Sequence, residues 1–205
     1  SSQNNFNFKV DKNLKFKDFN LISDIELDDL TFTNSFNLKN IFPKIKKKII
    51  FNRQKIKLKY EEKNLSITGK GEVILQNKID KIQYEIIKRK NEFQLNTTLN
   101  ISQNPFELHL LTYQKNKNSV LELNLKVKQV DKNELIFNEI SLKEKKNIIV
   151  VKNLILSKDY KINSIGSIDL DYQDKDNFEN KVNLIKKNKS YLISGNSFNV
   201  SNIID

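Results

Sequence analysis

The sequence predicts an all-β fold: an elongated, strongly twisted antiparallel meander forming a taco-like β-groove, with one or two short helices. Three features predict it. The first is period-two alternation, in which apolar and polar residues exchange places at every step along short runs. The second is a series of Asn-, Asp- and Lys-rich turn clusters at short, fairly even intervals. The third is that no run between Lys55 and the C-terminus carries a convincing helical period. Many such strands in chain order make a meander with one continuous apolar surface. A soluble protein must cover such a surface or use it.

The strands justify themselves one at a time. Leu65, Ile67, Gly69, Gly71, Val73 and Leu75 fall on one face of a run whose other face carries Ser66, Thr68, Lys70, Glu72 and Gln76, with Ile74 the exception. Phe93, Leu95, Thr97, Leu99 and Ile101 alternate with Gln94, Asn96, Thr98, Asn100 and Ser102. Leu121, Leu123, Leu125 and Val127 alternate with Glu122, Asn124, Lys126 and Lys128. Twelve positions are expected to share one apolar surface: Leu65, Ile67, Val73, Leu75, Phe93, Leu95, Leu99, Ile101, Leu121, Leu123, Leu125 and Val127. Turns are expected at 61–64, 77–78, 88–91, 103–105, 115–118, 131–133, 144–147, 157–159 and 186–189.

The first part of the chain is less regular. Phe6, Phe8 and Val10 alternate, as do Leu14 and Phe16, and Asp24 to Leu30 reads as a strand with acidic residues outward. Phe36, Ile41 and Ile45 are roughly helically spaced, so Ser35 to Ile45 is the candidate short helix, its length limited by Pro43. Residues 1–54 are therefore expected to be irregular strands plus a short helix closing a preceding repeat, and 55–205 the groove segment of a longer protein. Two collinear matches suggest an internal repeat. Asn34 to Phe42 resembles Asn196 to Ile204, and Lys12-Asn13-Leu14 resembles Lys152-Asn153-Leu154.

Hydrophobic residues make up 38% and charged residues 30%, which excludes a disordered chain and suits an open sheet with one solvated face. Ala, Cys, Met and Trp are absent, and Arg53 and Arg89 are the only arginines, as an AT-rich coding sequence would produce. The net charge of +11 invites an acidic partner. Arginine, the residue suited to bidentate phosphate and base contacts, is nearly missing, so no nucleic-acid partner is expected. Lys39 to Lys63 is the most basic stretch, with ten Lys or Arg against Glu61 and Glu62, yet Ile56 to Tyr60 alternate as an ordinary amphipathic strand. No cysteine means no disulfide framework. No apolar run is long enough to read as a membrane-spanning helix.

Catalytic and metal motifs find little support. His109, the only histidine, is expected on the outer face of a strand opposite Phe106, Leu108 and Leu110. A general base needs an orienting partner and a concave site, and no nucleophile stands beside it in the sequence. Gly69-Lys70-Gly71 lacks the spacing and the Ser/Thr of a phosphate loop. Asp169, Asp171, Asp174 and Asp176 lack the central glycine and terminal glutamate of a calcium loop and read as a solvated turn. No catalytic residue, metal ligand or cofactor is assigned, and no enzyme is expected.

Three further stretches carry a family resemblance: Asn64 to Val73, Ile162 to Leu170, and Tyr191 to Asp205. Their strand, glycine, then polar–apolar strand pattern resembles the AsmA-like proteins of the Gram-negative envelope, of the YhdP and TamB type. Low glycine and absent alanine depart from that family's usage. The resemblance implies a periplasmic β-groove whose parent protein is anchored in the inner membrane. It also implies that phospholipid acyl chains slide along the groove, with the inner and outer membranes reached through other parts of the parent. At about 4.8 Å per strand, a dozen strands extend such a groove roughly 50–60 Å. The rival expectation is a structural or adhesive β-repeat module with a closed core and no lipid.

Overall fold

The computed structural model describes residues 1–130 and 134–201. Its main feature is a single 13-stranded antiparallel sheet, twisted into a groove and not closed into a barrel. The strands are β1 (Ser2–Val10), β2 (Phe16–Thr33), β3 (Lys48–Glu61), β4 (Asn64–Ile74), β5 (Asp80–Arg89), β6 (Glu92–Ile101), β9 (Leu121–Val130), β10 (Glu134–Glu144), β11 (Asn147–Ser157), β12 (Ile162–Ser164), β13 (Ser167–Gln173), β14 (Glu179–Lys187) and β15 (Ser190–Ser197). Each pairs with its chain neighbour, except that β6 joins β9 directly and β11 pairs with both β12 and β13. The excursion between β6 and β9 holds a small hairpin, β7 (Glu107–Leu108) and β8 (Tyr113–Gln114).

The turns form where Asn, Asp and Lys cluster. At Glu62-Lys63 both residues adopt positive φ, 49° and 65°, the backbone of a tight hairpin turn matched to strand twist. The expected turn at 131–133 lies outside the described residues, as does the end of the repeat match at 202–204. β3 runs through position 54/55, so the first two strands continue the same sheet.

The expected helix at Ser35 to Ile45 does not form. Asn34 closes a local turn instead, accepting from Phe36 N–H at 3.0 Å and donating to Phe36 C=O at 3.0 Å. Leu38 C=O accepts from Ile41 and Phe42, and Phe42 C=O accepts from Ile45. Further propagation is blocked because Pro43 has no N–H and because tertiary partners take the neighbouring groups: Ile41 C=O accepts from Glu107 N–H, and Lys44 N–H donates to the Gln76 side chain. The one helical element among the described residues is a 3₁₀ turn at His109–Leu111.

His109 therefore sits on that 3₁₀ turn and not on a strand. Phe106 is buried while Leu110 is exposed, so those residues do not share a dry face. The repeat also finds no common structure. Lys12-Asn13-Leu14 lies in the β1–β2 turn, whereas Lys152-Asn153-Leu154 lies inside β11. Phe36 is exposed, whereas its counterpart Phe198 packs at the edge of the core.

Candidate functional site: an apolar trough plugged at one end

Residues directly opposite in neighbouring antiparallel strands share a face, so the register assembles the trough floor. One row runs Gly71, Ile82, Leu99, Leu123, Leu142, Ile149, Leu170, Val182 and Gly195. The next runs Ile56, Gly69, Tyr84, Thr97, Leu125, Ile140, Val151, Ile168, Leu184 and Ile193. A third runs Leu58, Ile67, Ile86, Leu95, Val127, Phe137 and Leu154. Outermost, Tyr60 faces Leu65, and Phe93 faces Lys88 and Gln129. At the opposite end, Phe51 faces Val73 and Ile101 faces Leu121.

Eleven of the twelve expected lining residues thus lie within the strands on one face. Leu75 lies just past the end of β4, where it packs against the core and its C=O accepts from Lys46 N–H. Sequence reasoning missed Ile82, Tyr84 and Ile86, whose strand reads less cleanly because Ile87 interrupts the pattern, and Leu58, whose run reads as an ordinary amphipathic strand. Gln76, expected on the wet face, is wholly buried.

The outer face is held by polar ladders. Thr98 Oγ1 donates to Asn124 Oδ1 at 2.6 Å, Asn96 Nδ2 donates to Glu85 at 2.9 Å, and Lys126 pairs with Glu139 at 3.0 Å. Lys128 lies 3.1 Å from Glu92. With its hydrogen bond from Gln94, it holds the Glu92 carboxyl below its ordinary range.

Burial along the floor is graded. Val73, Ile101 and Leu121 are wholly buried at one end, while Phe93 is 37% exposed at the other. Loops cause the difference. The segments 34–47 and 102–120 fold over the first end as a plug. Its centre is an edge-to-face aromatic chain: Phe42–Phe106 at 5.5 Å, Phe106–Tyr113 at 6.5 Å and Tyr113–Tyr172 at 5.9 Å between centroids.

The plug's polar groups are paired. Gln76 ties the two segments, accepting from Lys44 N–H at 3.0 Å and donating to Pro105 C=O at 2.8 Å. Glu144 accepts from Tyr113 Oη at 2.6 Å, from Asn116 N–H at 2.8 Å and from the Ser119 hydroxyl. Burial, reinforced by Glu144, pushes the Tyr113 phenol far up. Asp80 accepts from Ser102 N–H at 3.1 Å and from Asn104 Nδ2 at 2.7 Å. Burial outweighs these bonds and raises its carboxyl. Lys115 Nζ donates to Ser102 C=O at 2.6 Å and to Asn116 C=O at 2.9 Å, and burial lowers its ammonium despite Glu144 and Asp80. Of the four acids expected in a solvated turn, Asp169 and Asp171 lie within β13, and Asp174 is buried in the turn that follows, accepting from Asp176 N–H and Phe178 N–H, each at 2.9 Å, and from Asn199 Nδ2 at 3.0 Å.

A cleft of about 680 Å³ spans β2 to β6 and β9 and is lined mainly by outer-face residues such as Lys57, Lys70, Gln83, Glu85, Asn96 and Asn124. The floor residues Ile56, Gly69, Tyr84, Thr97 and Leu125 lie between those polar rows. Gly69 is required there: a Cβ would occupy the space of the Tyr84 ring, which lies across the glycine backbone. Gly71 is covered in the same way by the Gln54 side chain, whose amide donates to Asn52 C=O at 3.0 Å and Glu72 C=O at 2.8 Å across the β3 bulge. Burial also raises the Tyr84 phenol.

No family model, no curated protein and no solved structure matches this chain.

Proposed function

We propose that this chain is the groove segment of an AsmA-like intermembrane lipid-transport protein that serves outer-membrane biogenesis. The parent protein would be periplasmic and anchored in the inner membrane. The trough floor solvates phospholipid acyl chains, and the polar outer face keeps the bridge hydrated. The segment needs no enzyme chemistry. One observation carries this reading: the apolar floor continues beyond the plug, from the buried Leu99 and partly buried Leu123 to the half-exposed Leu95 and exposed Phe93, with no second layer over it among the described residues. Each methylene placed there is stabilised by about 0.8 kcal/mol relative to water. That favours recognition by chain with weak headgroup selectivity.

Photo-crosslinkers at Leu95 and Leu123 should capture phospholipid in cells, while probes at Asn96 and Asn124 on the outer face should not. Mass spectrometry of the purified chain should find co-purified phospholipid. Capture that is equal on both faces, or absent from both, favours a structural or adhesive module instead. The fully packed plug is the feature that speaks for that second reading, since it shows that part of the floor is ordinary core.

A further inference from the structure

We propose that the two edges of the open sheet pair with each other between copies of this chain, head to tail, so that assemblies extend the trough. A sheet that does not close leaves two edges, and here they are β1 and β15. Natural sheets guard such edges with lysine, proline or bulges. β15 carries no charge and no proline, and β1 carries only Lys9, beside its one bulge. Their inner neighbours β14 and β2 carry four and six charged residues. In a chain that is 30% charged, the charge stops short of both edges.

The two edges also complement each other. Twelve strands lie on the path from β1 to β15, each antiparallel to the next, so β15 of one copy meets β1 of a second, equally oriented copy in antiparallel fashion. Ser1 and Glu26 exchange both backbone bonds at 2.9 Å. Bonding alternates along an antiparallel strand, so Ser2, Asn4 and Phe6 aim N–H and C=O at the outer edge. Lys186 N–H donates to Gly166 C=O, so Ile185 bonds Leu192, and Tyr191 and Ile193 aim theirs outward. On both edges these residues carry their side chains on the apolar face: Phe6 lies opposite Leu21, and Ile193 opposite Leu184. Setting Phe6 against Ile193 therefore pairs the backbone and keeps the apolar face continuous. Both side chains are largely in solvent, at 60% and 66% exposure. A two-fold pairing of β1 with β1, or of β15 with β15, would leave the other edge open, whereas the head-to-tail contact uses both. It needs no lipid in the trough.

The test is sedimentation velocity of the chain over a concentration series. Species larger than dimers should appear as concentration rises, because a head-to-tail contact leaves an edge open at each end. Copies with a net charge of +11 repel, so association should strengthen as salt rises. Phe6→Lys and Ile193→Lys each put a charge on one edge, at a position already in water. Each variant alone should stay monomeric with an unchanged circular dichroism spectrum. Mixed in equal parts, they should form one-to-one dimers and nothing larger, because each keeps the edge that the other has lost. Leu110→Lys, as exposed at 61% but on the 3₁₀ turn, should assemble as the parent chain does. Amide exchange at Phe6 and Ile193 should slow on assembly. A chain that is monomeric at every concentration, a dimer that persists in either single variant, mixed variants that fail to pair, or an equal loss in Leu110→Lys would each overturn the proposal.

Discussion

The two ends of the trough are built from the same strands, yet they differ in what covers them. At the plugged end Val73, Ile101 and Leu121 lie beneath Phe42, Phe106 and Tyr113 and are wholly buried. At the open end the same alternation continues through Leu65 and Phe93, but no loop among the described residues folds over it, and Phe93 keeps 37% of its surface in solvent. Phe19 and Tyr60 lie 5.9 Å apart there, and Phe6 and Phe8 are exposed on β1. Alternation makes a face apolar, but only a second layer makes it a core. The plugged end is packed core, and the open stretch is the part that the proposed lipid binding would use.

The largest effect should come from truncation beneath the plug. Leu121→Ala should destabilise by about 2–5 kcal/mol, because it leaves a cavity among fixed neighbours. Phe93→Ala should cost about 1 kcal/mol or less, since much of the ring is already in water. Urea denaturation of the two variants checks this, and equal losses would erase the distinction between the ends. Charge sharpens it further. Leu123→Asp would bury an unpaired carboxylate and should unfold the domain or abolish lipid occupancy, whereas Glu122→Lys on the outer face should move stability by about 0.5 kcal/mol at most.

A smaller effect is expected within the plug's polar set. Tyr113→Phe removes one of the donors to the buried Glu144 and should cost about 1–3 kcal/mol. Gly69→Val should cost less stability than Leu121→Ala but displace Tyr84 from the trough floor, so its main readout is crosslinking at Leu95.

The smallest effect is the pH dependence of Asp80. Burial raises its folded pKa above its ordinary value of 3.8, so the folded chain holds this proton more tightly than the unfolded one. The stability linked to Asp80 is therefore present in full at acid pH, below the unfolded value, and is lost as pH rises through the folded value. Relative to Asp80→Asn, the parent chain should gain stability as pH falls from neutral toward 4. Urea midpoints of both proteins across that range measure it, and a gain in the opposite direction would mean that the bonds from Asn104 and Ser102 outweigh burial.

Much of the sheet was legible because its information is local. The lining positions of β4, β6 and β9 follow from alternation alone, and neighbouring strands pair because tight turns leave them no other edge. The plug was not legible for the same reason. Phe106 and Tyr113 sit in an excursion that looks like a run of broken strands, and Gln76 looks like the next outward residue of its run until Lys44 and Pro105 are brought to it from distant parts of the chain. The length of the connection between Ile101 and Leu121, far beyond a hairpin turn, was the available signal.

By itself the sequence determined an antiparallel meander with one wet and one dry face, because side-chain direction in a strand depends only on parity along the chain. Tertiary structure alone decided which end of the dry face became core. That choice rests on long-range hydrogen bonds and aromatic contacts between loops far apart in sequence, and no local pattern encodes them.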